Sequence, residues 1–176
     1  MTAPASSLAL DALDVIAPGA FAAAVAPLFE GARHFLGRLA MARPFGSIEG
    51  LFERAREIAH AMPLDEQVEL INAHPRLGAP PASVSALSFV EQGYDRDDTE
   101  RVAAELDRLN DAYETRFGFR YCVFVAGRSR SALLAGMVAA LEADREAEIQ
   151  RALDAVIDIA LDRYSTLTGT SLEGPP

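Results

Sequence analysis

Apolar residues recur at helical spacing along most of this chain, and the breaks in that rhythm divide it into elements. Between Ala9 and about Ala42 the sequence is rich in Ala, Leu and Phe, with interruptions at Pro18–Gly19 and at "RPFG" (43–46). Two or three short helices with tight breaks are predicted there. Ser47 is placed as the N-cap of a helix to about Ala61, with Leu51, Ala55, Ile58 and Met62 at helical intervals. Pro63 suits the first turn of the next helix, "PLDEQVELINA", and the early Asp65 and Glu66 complement its positive end. Pro75 ends that helix, because the residue before a proline is driven out of the helical region; here that residue is His74.

The following stretch, "HPRLGAPPASVSALSFVEQGYDRDD", reads as a long ordered loop with one short helical turn around Ser88–Gln92. Loops this long inside a compact domain are usually functional or disordered. "DDTERVAAELDRLNDAYETRF" restores the helix, capped by Asp97 or Asp98, with Val102, Leu106, Leu109 and Tyr113 as its inner stripe and Gly118 as its end. "FRYCVFVAG" is β-prone and apolar on both faces, but a lone strand in a helical chain has nothing to pair with, so a buried extended connector is expected. Two helices, centred on "SALLAGMVAALEA" and "EAEIQRALDAVIDIALDRYSTL", complete the chain. The expectation is an all-α, single-domain bundle of about seven to nine helices, with its core at about 10–167 and a flexible tail at 168–176.

Composition narrows the functions. The chain has 176 residues, half of them hydrophobic, enough for one domain with a real core. Sixteen Lys+Arg stand against twenty-six Asp+Glu, for a net charge of −10, and no basic cluster rises above that background. Nucleic acid and anionic membrane are therefore not expected as partners. No run approaches the roughly 18 apolar residues needed to span a bilayer, and the N-terminus lacks the basic start of a signal peptide. The single cysteine, Cys122, cannot form an internal disulfide and sits in an apolar run, so a buried, inert thiol and a cytoplasmic location are expected.

His34, His60 and His74 are too scattered for a metal motif, and neither a nucleophile elbow nor a dinucleotide or phosphate loop occurs. No metal and no cofactor are expected. The remaining chemistry lies in His74, Ser88, Glu91, Gln92 and Arg163. His74 titrates near neutrality when unperturbed, at about 6.5, and a helix C-terminus would raise that value. Taken alone, His–Pro needs no chemistry, since it also simply stops a helix. Ser88 and Glu91, three apart, face one side of a helical turn, yet Ser-x-x-Glu is equally a capping box. In the last helix Ile149, Leu153, Val156, Ala160 and Tyr164 form an apolar stripe, and Arg163 leans toward it. It either snorkels to water or pairs, buried, with a carboxylate such as that of Glu91 or of a substrate.

"FE" (29–30), "ARPF" (42–45), "INAHPRLG", "SFVEQ", "RLNDAYETRFGFRYCVFV", "GRS", "REAEIQRAL" and "DRY" stand in the order and spacing of one family. Over about residues 10–167 the chain resembles the 2-oxo-4-hydroxy-4-carboxy-5-ureidoimidazoline (OHCU) decarboxylases of urate breakdown. The resemblance implies an all-α fold, usually a homodimer, that converts OHCU to (S)-allantoin and carbon dioxide without metal or organic cofactor. It implies His74 and Glu91 as catalytic residues. It also implies substrate contacts from Pro75, Ser88, Gln92, Arg163 and the segment Cys122, Val123, Phe124, Val125 and Ala126. A silent relative that binds ureides or purine-like ligands is the alternative, and the retention of all five polar residues argues against it. The chain departs from the family pattern at "GARHF" (31–35), at Arg120 and Tyr121, and at "ALEA" (140–143).

Overall fold

The computed structural model describes residues 8–79, 83–92 and 100–170, and among them every regular element is a helix. Four helices make the first half: α1 (Leu10–Val15), α2 (Pro18–Val25), α3 (Arg33–Met41) and α4 (Ile48–Ala61). A 3₁₀ turn (Ala26–Leu28) follows α2. Then come α5 (Leu64–Ala73), the short α6 (Ala86–Glu91), α7 (Glu100–Phe117), α8 (Arg130–Ala140) and α9 (Arg145–Thr168). Nine α-helices among the described residues meet the upper end of the expected range. The cap expected at Asp97 or Asp98 lies outside the described residues, as does most of the expected tail.

Local chemistry sets the boundaries. The Ser47 hydroxyl accepts a hydrogen bond from the Gly50 N–H, as the N-cap reading requires. Ser129 caps α8, and Asp144 caps α9 by accepting from two backbone N–H groups. Gly169 ends α9 with φ +69°, a left-handed value that favours glycine. His74 caps α5 with ψ 140°, the extended conformation that Pro75 demands.

α9 is the axis of the fold: 24 residues, about 36 Å at 1.5 Å per residue. It packs against α4, α5 and the 3₁₀ turn. All five residues of its expected stripe are buried, together with Ala152, Ala155, Ile157, Ile159 and two charged residues, Glu148 and Arg163. Burial on so much of its circumference follows from having neighbours on several sides.

The connector forms no regular element over residues 120–125 and pairs with no strand among the described residues. Phe117, the last residue of α7, and Phe119 and Tyr121 of the connector are all buried, and their rings pack around Tyr113 with centroids 4.5, 5.7 and 5.1 Å away. Its backbone groups find side-chain partners in place of a second strand. The Arg120 N–H donates to Asn72 Oδ1 (2.8 Å), the Cys122 carbonyl accepts from Arg151 Nη1 (2.9 Å), and Arg128 donates to the carbonyls of Phe124 and Val125. Arg151 is held in turn by the buried Glu148, which also accepts from the Tyr113 hydroxyl (2.6 Å).

Candidate active site

The end of α5, α6, the connector and α9 converge on one small cavity of about 20 Å³. It is lined by His74, Pro75 and Leu77 at the end of α5, by Ser88, Glu91 and Gln92 at α6, by Tyr121, Cys122, Val123 and Val125 of the connector, and by Ile159 and Arg163 of α9. In this state it has room for about one water, so a larger ligand must displace side chains at its mouth. All five polar residues singled out in the sequence meet here, although they lie as much as 89 positions apart (163 minus 74).

Arg163 organises the polar side. Only 3% of its side chain is exposed, which excludes snorkelling. Its Nη1 donates to the carbonyls of Pro27 (3.1 Å) and Leu28 (3.3 Å). Its Nε and Nη2 donate to Glu91 Oε2 (3.2 and 3.0 Å), and Nη2 also reaches Ser88 Oγ and Glu30 Oε1, both at 2.9 Å. Ser88 passes a hydrogen bond on to Glu30 at 2.5 Å. The capping-box reading of Ser88 and Glu91 is thereby corrected: the N-cap of α6 is Ser85, whose hydroxyl accepts from the Ser88 N–H. Ser88 and Glu91 are turned to the arginine instead.

Glu30, which no spacing in the sequence marks as a site residue, joins this cluster. It takes φ +50°, in the left-handed region that non-glycine residues rarely adopt, and Gly31 follows at φ +74°. That turn sends its carboxylate back to Arg163, Ser88 and Ser85. The signal available was the Phe-Glu-Gly triplet at 29–31, a charged residue directly after the buried Phe29.

The two carboxylates on Arg163 differ in proton affinity. Burial pushes Glu30 up, but the Ser88 hydrogen bond, the Arg163 charge and the Ser85 hydrogen bond outweigh it, and its pKa lies below the ordinary value. Glu91 is also pushed up by burial, and Arg163 offsets this only in part, so its pKa lies above the ordinary value.

His74 is 4% exposed, and its Nδ1–H donates to the Leu70 carbonyl at 3.4 Å. Its Nε2 is buried without a partner. That pattern belongs to a neutral imidazole with the Nε2 lone pair free. The expected upward pKa shift from the helix end is corrected: burial dominates, the Arg163 charge adds to it, and with only partial offset from Glu30 the pKa falls to about 4. Desolvation of a fully buried cation outweighs the attraction of a helix terminus.

Other expected contacts are placed differently. Gln92 lines the cavity, but its Oε1 accepts from the Gly78 N–H (2.9 Å) and its Nε2 donates to the Arg76 carbonyl (3.2 Å), so it latches the "HPRLG" loop. The lining ends at Val125. Phe124 and Ala126 are not part of it, and Ala126 is exposed with φ +50° where the chain turns away. Cys122 is buried, and desolvation pushes its thiol up to about 12, the inert state expected. Leu77, Tyr121 and Ile159 complete the lining beyond the expected residues. Among the described residues no group of three or more His, Cys, Asp or Glu could hold a metal ion, and no helix is long and apolar enough to cross a membrane.

A family model described as OHCU decarboxylase matches residues 15–165. The chain is 32% identical over 143 residues to a uric acid degradation bifunctional protein of Bacillus subtilis, covering 80% of this chain and 28% of that protein. It therefore spans little more than a quarter of that relative's length. To the 2-oxo-4-hydroxy-4-carboxy-5-ureidoimidazoline decarboxylase of Haloferax volcanii it is 27% identical over 154 residues, covering 87% of this chain and 92% of the other. Among solved structures, a crystal structure of OHCU decarboxylase in the presence of (S)-allantoin superposes with a TM-score of 0.64 at 21% identity, covering 80% of this chain and 94% of that one. A crystal structure of (S)-allantoin synthase gives 0.67 at 19% identity, covering 91% and 54%. At those identities the likeness establishes the fold.

Proposed function

The chain belongs to the OHCU decarboxylase family, lyases of urate degradation, and on that premise we propose that it converts OHCU to (S)-allantoin and carbon dioxide in the His74 cavity. The observation that carries this reading is the buried His74 imidazole with a free Nε2, facing a cavity whose other polar wall holds Arg163, Ser88 and Glu91, with Glu30 bound behind them to Arg163 and Ser88.

The chemistry needs little else. Loss of carbon dioxide leaves the bonding pair on the ring, where the conjugated C=N accepts it; the adjacent hydroxyl then gives up its proton as a carbonyl forms, and a proton is added to the neighbouring ring carbon. A base held neutral at working pH takes the hydroxyl proton, and the resulting imidazolium returns one. Starting from the carboxylate, the net reaction takes up one proton from solvent. Glu91, with its raised proton affinity, lies against the cavity and orients a hydroxyl or ureido N–H of the substrate. Every nitrogen of Arg163 is already engaged, so it acts by fixing Glu91 and Ser88, and it meets a substrate anion only if one of its carboxylates yields. Protonation within a pocket walled on one side by the connector accounts for a single stereoisomer.

A homodimer and a cytoplasmic location belong to the same proposal and rest on the family resemblance; size-exclusion chromatography with light scattering tests the first. The reaction itself is tested by generating OHCU enzymatically from urate and following allantoin circular dichroism with and without the protein. An (S)-allantoin signal that rises no faster than the spontaneous background overturns the reading.

A further inference from the structure

Two walls of the cavity, the end of α5 and the connector, are tied together by one pair of residues outside it. The Arg120 N–H donates to Asn72 Oδ1 at 2.8 Å. The Arg120 guanidinium returns the contact: Nη1 donates to the carbonyl of Asn72 at 2.9 Å and to that of His74 at 3.1 Å. Carbonyls at a helix C-terminus have no intrahelical donor, and Pro75 prevents another turn from supplying one. Arg120 supplies it from the connector.

His74 is thus held at two points. Its carbonyl is bound by Arg120, and its Nδ1–H is bound to Leu70 one turn back along α5. The second bond selects the tautomer with the lone pair on Nε2; the first fixes the backbone from which the ring projects. The Nδ1 contact, at 3.4 Å, is long for a hydrogen bond and is sensitive to any rotation of the helix end.

We propose that Arg120 is a positioning residue: the Asn72–Arg120 clamp holds the unwound end of α5 against the connector and thereby sets the tautomer and orientation of the His74 imidazole. Arg120 does not line the cavity and acts only through His74. The inference rests on the reading of His74 as the base.

The test uses the full chain with ¹⁵N-labelled histidine, as wild type, Arg120→Met and Arg120→Lys, with the His74 resonances assigned by their loss in His74→Asn. Turnover of enzymatically generated OHCU is measured on the same samples. Wild type shows the Nδ1–H tautomer. Arg120→Met shows a tautomer mixture, and kcat falls about ten- to hundredfold while KM changes less than about threefold, the cost of misplacing a catalytic group by a fraction of an ångström to an ångström. Arg120→Lys, which still donates to the two carbonyls and perturbs folding least, restores the wild-type tautomer and most of kcat. The proposal is overturned if the Met variant keeps the wild-type tautomer, whatever its turnover, or if its His74 resonances change while kcat does not. If wild-type protein fails to accelerate OHCU loss, the decarboxylase reading falls instead, and the nitrogen spectra alone decide whether the clamp orients His74.

Discussion

Arg163 is the side chain on which the site's polar wall depends, and replacing it with Met tests that directly. Met keeps comparable volume and removes the donors that now bind two backbone carbonyls, Ser88 and two carboxylates. The carboxylates left behind are nearly enclosed, with 15% of Glu30 and 11% of Glu91 exposed. Breaking a buried pair by removing one partner costs about 3–5 kcal/mol, a large part of the roughly 5–15 kcal/mol that holds a domain folded. The cost should depend on pH in a defined direction. Without the arginine both carboxyls sit in low dielectric with pKa values above those of the unfolded chain, so the folded variant binds extra protons and gains stability as pH falls through those values. One such group recovers at most about 1.4 kcal/mol per pH unit between its folded and unfolded pKa values, and so at most about 3 kcal/mol between pH 7.5 and 5.5. Wild type has no such gain from Glu30, whose depressed pKa makes a contribution that is complete above the ordinary carboxylate value and lost only as pH falls below it. Urea unfolding of both proteins at the two pH values measures the difference. A deficit below about 1 kcal/mol at pH 7.5, or one that stays constant or widens on acidification, refutes the reasoning.

His74→Asn should lower turnover about 10²–10⁴-fold with the fold intact, as judged by circular dichroism and urea midpoint. The same variant tests the burial of the imidazole: a folded pKa of about 4 against about 6.5 unfolded means that wild type loses up to about 3 kcal/mol as pH falls from 6.5 to 4, and the variant is spared that loss. Glu91→Gln keeps its shape and leaves the Ser85 cap of α6 untouched, so activity should fall while stability at pH 7 shifts by less than about 1 kcal/mol; retained activity with a frayed helix would restore the capping reading. Arg151→Met removes the donor to the Cys122 carbonyl and the partner of buried Glu148, with an expected cost of about 1.5–3 kcal/mol in chemical denaturation.

Much of the site was readable because its members sit at positions where local rules conflict with the surroundings. A histidine before a proline had to stand at a helix end, and an arginine on the inward side of an apolar stripe had to find a partner or reach water. The unpaired "CVFVA" segment called for an extended, buried path. Glu30 gave no such conflict: its role depends on a left-handed turn and on a partner 133 residues away, and neither leaves a periodic trace. Gln92 misled for a related reason, since an amide next to two site residues has no local mark to show that both its ends are bound to the neighbouring loop.

By itself the sequence determined most of the helices, the Ser47 cap and the proline and glycine breaks, the inner stripes, and that His74 and Arg163 occupy unusual places, because each follows from short-range sterics and hydrophobic period. Only the tertiary structure decided what those places mean electrostatically. A helix end in water would favour a charged histidine, whereas the same helix end packed under the connector and beside Arg163 keeps it neutral. Nor does spacing reveal that two carboxylates share one guanidinium with opposite changes in proton affinity. Desolvation and charge coupling depend on which groups are brought together through space, and that is settled by the packing of α5, α6 and the connector around α9.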